Sequence, residues 1–153
     1  MNILVVYDST YGNTDSIAKA IGGAWGADAL RVSEVKAEQL KDLDVLIVGS
    51  PTQAFQPLPS VKTFLKGIPQ GSLKGVKVAS FDTRMDVQQV GNRFLTTLTK
   101  LFGYAADPIM RTLVKKGGVR AVSPIGFIVN DKEGPLKDGE IERAIQWAKE
   151  IVI

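Results

Sequence analysis

Asp8, Ser9, Thr10, Tyr11, Gly12, Asn13 and Thr14 form a hydroxyl-rich run between the apolar stretch Ile3 to Tyr7 and a helical pattern that contains Ile17 and Ile21. A strand, a polar loop and a helix start, in that order, present backbone N–H groups whose dipoles favour an anion, and the hydroxyls of Ser9, Thr10 and Thr14 add side-chain donors. Gly12 lets the backbone turn close to a ligand. No lysine or arginine occurs in the loop before Lys19, so a phosphate held here would meet neutral dipoles. The patterns G-x-x-x-x-G-K-[ST] and G-x-G-x-x-G are both missing, which argues against a nucleoside triphosphate and an ordinary NAD domain. Ser, Thr and Asn are also good helix N-caps, and the loop alone leaves both uses open.

The rest of the composition narrows the chemistry. The chain of 153 residues has no cysteine and no histidine. No thiolate site, Ser/His/Asp triad, histidine base or histidine metal ligand can be built, so the common hydrolase layouts fall away and a bound cofactor becomes the natural source of chemistry. Mean hydropathy of +0.06 and 23% charged residues fit a globular chain, and no apolar run approaches the ~20 residues that span a bilayer. The start has no basic region before its short apolar run, which reads as cytoplasmic. Net charge is +3. Its excess is local: seven basic residues (Arg84, Arg93, Lys100, Arg111, Lys115, Lys116, Arg120) face three acidic ones (Asp82, Asp86, Asp107) between Asp82 and Arg120. Such a segment steers an acidic partner or an anionic substrate, or is a solvated helix surface. The basic residues lack interleaved aromatics, so nucleic acid is not expected as a partner.

Elements that would position the loop follow from periodicity. Continuous β-branched runs at Ile3 to Tyr7, Val45 to Val48, Val76 to Phe81 and Ile125 to Val129 suit strands buried on both faces, with a weaker strand near Ala29 to Val32. Helical spacing joins Ile17, Ala18, Ile21, Ala24 and Trp25, then Val61, Phe64, Leu65 and Ile68 after Pro59, and lastly Ile141, Ala144, Ile145, Ala148, Ile151 and Val152. Alternating strands and helices with right-handed crossovers give an α/β doubly wound sheet in one domain, residues 1–153, with its ligand site at the carboxyl ends of the strands.

Ser9 to Thr14 resembles the T/S-x-T-G-x-T phosphate loop of flavodoxins, and the resemblance extends over essentially the whole chain. Gly49, Ser50, Pro51, Thr52, Gln53, Ala54 and Phe55 follow the third strand, as the first isoalloxazine-contacting loop does in that family. Phe81, Asp82, Thr83, Arg84 and Met85 follow the fourth, where the second such loop lies. The stretch Asn130 to Glu140 is similar to the lead-in to the last helix in one branch of the family. The resemblance implies a three-layer sandwich on a five-stranded parallel sheet of order 2-1-3-4-5, of the short-chain type. It also implies FMN as cofactor, held by Ser9, Thr10, Tyr11, Gly12, Asn13, Thr14, Pro51, Thr52, Gln53, Ala54, Phe55, Asp82, Thr83, Arg84 and Met85.

Departures from the family bear on function. Flavodoxins often sandwich the flavin between two aromatic rings; here Phe55 is the ring available from the first loop, and the second loop has none. Arg84 beside the N1 and O2 edge would stabilise the anionic reduced flavin, worth ~1–2 kcal/mol or roughly 40–90 mV for one electron. Most flavodoxins are acidic and this chain is basic, so acidic redox proteins are the expected partners. Asp86 to Phe102, with Val87, Val90, Phe94, Leu95, Leu98, Leu101 and Phe102 at helical spacing, reads as an inserted helix that covers the ring, makes a dimer contact or extends the core; the oligomeric state stays open. The next helix is expected at Tyr104 to Lys116. Three functions compete: an electron carrier between proteins, an FMN-dependent oxidoreductase that uses NAD(P)H and a quinone, and a flavin-free regulatory module. A phosphorylatable receiver domain is disfavoured, because the third strand ends in Gly49, Ser50 and Pro51 rather than an aspartate.

Overall fold

The structure, a computed structural model, describes residues 1–86 and 103–151. The helix expected at Asp86 to Phe102 lies, from Val87 onward, outside the described residues.

Among the described residues six strands make one parallel sheet. In chain order these are β1 (Ile3–Tyr7), β2 (Asp28–Arg31), β3 (Val45–Pro51), β4 (Lys77–Met85), β5 (Val119–Arg120) and β6 (Ile125–Val129). Their spatial order is β2-β1-β3-β4-β5, and β6 also pairs with β4. The fifth place in the sheet is shared: β5 lies beside the start of β4 and β6 beside its end. Pro124, which has no N–H to give a ladder, stands at the break between them.

Among the described residues the layers on either side of the sheet contain α1 (Asn13–Trp25), α2 (Pro59–Gly67), α3 (Ala106–Lys115) and α4 (Glu140–Glu150). Side chains alternate across β1, so Val5 and Tyr7 enter the core under α1 and α4, while Leu4 and Val6 enter the core under α2 and α3. Two apolar faces explain why the run was continuous. The sheet reverses direction of growth between β1 and β3, which opens a crevice at their carboxyl ends. Among the described residues no helix is long and apolar enough to cross a membrane.

One difference matters for the site. The fourth strand was expected to stop at Phe81, with Asp82 to Met85 as a loop; instead β4 continues to Met85 and keeps parallel register with both Pro51 and Val129. Its inner end is pinned by packing. Phe81 meets Phe127 and Trp147 edge to face, with centroids 6.2 and 6.3 Å away. Gly49, paired with Phe81, leaves the space its ring fills, since a Cβ there would lie 2.1 Å from the ring.

Candidate functional site

Gly12 ends the loop after β1 with φ +95° and caps α1 through its carbonyl, which accepts the Ser16 amide at 3.1 Å. The helix therefore begins with the amides of Asn13, Thr14 and Asp15 unused, and the amides of Thr10 and Tyr11 also lack an acceptor among the described residues. Ser9 Oγ accepts the Gly12 amide at 3.0 Å and Thr10 Oγ1 accepts Gln53 Nε2 at 3.0 Å, so each hydroxyl keeps its own hydrogen to donate. Thr14 is buried and its Oγ1 lies 2.8 Å from Thr83 Oγ1, tying the loop to β4.

Acidic groups near this loop are matched by partners of their own. Asp8 takes Ser60 Oγ at 2.5 Å, the Ser9 amide at 2.9 Å and Arg31 Nη1 at 3.1 Å. Burial works against ionisation of its carboxyl, yet these partners outweigh burial and hold it below the ordinary carboxylate range. Asp15 pairs with Lys19 at 3.0 Å and accepts the Tyr7 hydroxyl. Burial and that hydrogen bond push the Tyr7 phenol up to about 12. Because the native pKa of Asp8 is lowered, its contribution to stability is full above the unfolded carboxylate range and is lost as pH falls through the native value. Asp8→Asn should cost about 1 kcal/mol at neutral pH and flatten the acid side of the stability–pH curve, as read by denaturant melts at several pH values. An acid limb as steep as in the wild type would remove Asp8 from that account.

Above the loop is a cavity of about 500 Å³ at the carboxyl ends of β1, β3 and β4, within the roughly 300–1,000 Å³ usual for small-molecule sites. Ser9, Thr10, Tyr11, Asn13 and Thr14 wall one end, Pro51, Thr52, Gln53 and Ala54 one side, and Thr83, Arg84 and Met85 the other. Twelve of the fifteen candidate residues thus come together. Gly12, Phe55 and Asp82 are not on the wall. Ala54 and Phe55 sit at φ +48° and +64° in a two-residue turn closed by mutual Gln53 and Gln56 backbone bonds of 2.9 Å. Both central residues are left-handed, as in a type I′ turn, where Asn-Gly is the comfortable pair. An Ala-Phe pair stores strain of order 1 kcal/mol or more per residue beside the cavity.

Asp82 and Arg84 behave differently from what their charges implied. Asp82 is fully buried and accepts Arg84 Nε and Nη2, both at 2.7 Å, together with the Ala106 amide at 3.0 Å. Burial pushes the Asp82 carboxyl up, and the guanidinium pulls against that shift. Arg84 also lies 3.5 Å from the centre of the Tyr104 ring. A Cβ on Gly126 would come within 2.0 Å of its Nε, so glycine makes room for it. Arg84 is on the cavity wall but paired with Asp82, so what reaches the cavity is the field of an ion pair, which falls off faster than that of a single charge.

Two wall residues had no signal in the sequence. Val129 closes β6, and Lys132 comes from the segment after it. Asn13 Nδ2 donates to the Glu133 carbonyl at 3.1 Å and holds that segment against the loop.

Comparison with known proteins agrees with this geometry. The sequence profile of the flavodoxin domain matches residues 4–117. No curated protein sequence matches the chain. A flavodoxin from the domain Archaea superposes with a TM-score of 0.72 at 21% identity, covering 99% of this chain and 96% of its own. Oxidised flavodoxin 1 from Bacillus cereus gives 0.73 at 18%, covering 97% and 95%. A flavodoxin, WrbA-like protein from Agrobacterium tumefaciens gives 0.75 at 19%, covering 98% and 94%. At these identities the structures speak for the fold, and the profile, spanning most of the chain, speaks for descent. The chain belongs to the flavodoxin domain family.

Proposed function

We propose that the chain binds FMN in the cavity above Ser9 to Thr14 and carries electrons between protein partners. The observation that supports this reading is the donor set: five backbone amides without acceptors among the described residues, with Asp8 and Asp15 turned to other partners, at the end of a cavity of small-molecule size. Such donors suit a phosphate dianion. In this reading the amides of Thr10, Tyr11, Asn13, Thr14 and Asp15 and the hydroxyls of Ser9 and Thr10 hold the phosphate. Thr52, Gln53 and Ala54 face Thr83, Arg84 and Met85 across the remaining space and orient the ring. FMN, when bound, supplies reversible uptake and release of electrons. The chain's own residues bind and position it, and the Thr14–Thr83 hydrogen bond fixes the phosphate loop against β4.

A second reading, an FMN-dependent oxidoreductase using NAD(P)H and a quinone, has one observation in its favour. The β4 side of the cavity presents Thr83, Arg84 and Met85 and, among the described residues, no aromatic ring. One flavin face would be open to a second ligand. To separate the two, the purified protein is denatured to identify any released flavin, and the holoprotein is mixed with NADPH and a quinone without a reductase. Release of FMN and an unchanged absorbance spectrum on mixing are expected. Rapid turnover would replace the carrier with the oxidoreductase, and colourless protein that refuses FMN would leave a flavin-free module.

A further inference from the structure

A groove of about 420 Å³ runs between α2 and α3, on the opposite face of the sheet from α1 and α4. Its floor is apolar, with Pro57, Leu65 and Pro108, and its rim carries Lys62, Lys66 and Lys116. Lys62 and Lys66 stand four apart on a helix with no acidic residue, an arrangement that costs a few tenths of a kcal/mol in like-charge repulsion. Lys116 Nζ donates to the Lys66 carbonyl at 3.4 Å and closes the far end. Among the described residues no carboxylate lies within ion-pair distance of any of the three.

Charge is divided across the sheet. On this face α3 and the residue after it carry Arg111, Lys115 and Lys116 against Asp107, whereas α4 sets Glu140, Glu142 and Glu150 against Arg143 and Lys149, and α1 balances Asp15 with Lys19. The protein therefore has a basic side, and the groove lies within it. Its near end is fastened to the cavity. Thr52 Oγ1 accepts the Ala105 amide at 3.0 Å and buried Asp82 accepts the Ala106 amide at 3.0 Å, so the start of α3 is held by one residue of the cavity wall and by the ion-pair partner of another, Arg84. Pro57 belongs to the same loop as Gln53 and Ala54.

From this placement we infer that the α2–α3 groove is the docking surface for an acidic protein, one that lays an apolar side chain against half-buried Pro108, over the buried Pro57 and Leu65, and sets carboxylates against Lys62, Lys66 and Lys116. Its use in electron transfer rests on the carrier reading above; the docking chemistry rests on the groove. Cations with no carboxylate partner among the described residues, set on a low-dielectric wall, steer an acidic surface at rates that fall with ionic strength. The same field turns away a basic protein.

The test uses the isotopically labelled full chain, titrated at low ionic strength with an acidic [2Fe–2S] ferredoxin and, separately, with a basic cytochrome c, while backbone amide shifts are followed by NMR. Ferredoxin-induced shifts should centre on residues 57–67 and 105–116, and cytochrome c should cause none there. The triple variant Lys62→Glu, Lys66→Glu, Lys116→Glu should weaken binding at least tenfold. A control with the same charge change elsewhere, Lys36→Glu, Lys137→Glu, Lys149→Glu, should weaken it less than threefold. The corresponding groove triple to Gln, milder in charge, should fall between. Shifts centred elsewhere, no binding to the ferredoxin, or equal losses in groove and control triples would overturn the assignment. FMN is added to the same samples and bound flavin is read from their absorbance: protein that refuses FMN yet docks through the groove would sink the FMN reading and leave the groove, and protein that takes up FMN but does not dock there would do the reverse.

Discussion

Arg84→Ala is expected to melt roughly 6–20 °C below the wild type at neutral pH. Asp82 is wholly buried, and among the described residues the substitution removes two of its three hydrogen bonds and its one opposite charge, leaving the Ala106 amide. Removing one member of a buried ion pair costs about 3–5 kcal/mol, and each kcal/mol moves the midpoint of a domain of this size by about 2–4 °C. The pH dependence identifies the cause. Burial already pushes the Asp82 carboxyl up, and without the guanidinium the folded chain favours the protonated form more strongly. A carboxyl whose folded pKa exceeds its unfolded one supports the fold below the unfolded value and loses that support as pH rises through the folded value. The deficit of Arg84→Ala should thus be smaller near pH 4 than near pH 7, and adding Asp82→Asn should recover part of it. A deficit under about 1 kcal/mol at pH 7, or one independent of pH, would show that the pair does not hold this wall. The same compensation makes Arg84→Ala an impure probe of flavin potential, since it exposes the Asp82 charge as it removes its own.

Why the pair was misplaced in the sequence is instructive. Two charges and a threonine after Phe81 have the composition of a loop, and periodicity of apolar residues stops there. In the fold Asp82 and Arg84 point to the same side of β4, two residues apart, and neutralise each other within the sheet. Strands whose neighbours are apolar announce themselves: β1 was expected at Ile3 to Tyr7 and spans those residues, because Val5 and Tyr7 serve one core and Leu4 and Val6 the other. The two-residue β5 offers no such pattern, since Val119 and Arg120 are both exposed and are placed by their register with Lys77 and Val78.

Site residues divide by the same logic. Residues at the ends of β1 and β3 were legible, because the strand–loop–helix order itself puts them at the crevice. Contacts that join distant segments were not. Lys132 reaches the cavity wall because Asn13 bonds a carbonyl 120 residues away, and no local feature near Lys132 points there. Phe55 shows the converse: its side-chain type invited a stacking role, but the left-handed turn it shares with Ala54 places Ala54, not Phe55, on the wall. The basic excess was also only partly legible. Arg84 in the basic segment is spent on Asp82, while Lys62 and Lys66 from another helix complete the charged groove.

FMN is expected to bind at least about 10²-fold more tightly than riboflavin, which differs only by the phosphate. A hydrogen bond to a charged acceptor contributes about 1.5–3 kcal/mol, and five amides at Thr10, Tyr11, Asn13, Thr14 and Asp15 have no acceptor to give up among the described residues. Two such bonds alone supply about 3–6 kcal/mol, or roughly 10²–10⁴ in affinity. Quenching of flavin fluorescence during titration of apoprotein with each flavin gives the ratio directly. Its salt dependence then distinguishes the source of the discrimination. Amides fixed at a helix start are dipoles close to the phosphate and are weakly screened, whereas Lys132 is exposed on the wall and its attraction should fade as the Debye length shrinks from about 10 Å to about 3 Å between 0.1 and 1 M salt. The FMN preference should therefore survive high salt and change less than threefold in Lys132→Ala. Equal affinity for the two flavins would take the phosphate out of the Ser9 to Thr14 loop. A preference that collapses in salt and in Lys132→Ala would move the anion's hold from the backbone of α1 to the segment that Asn13 ties down.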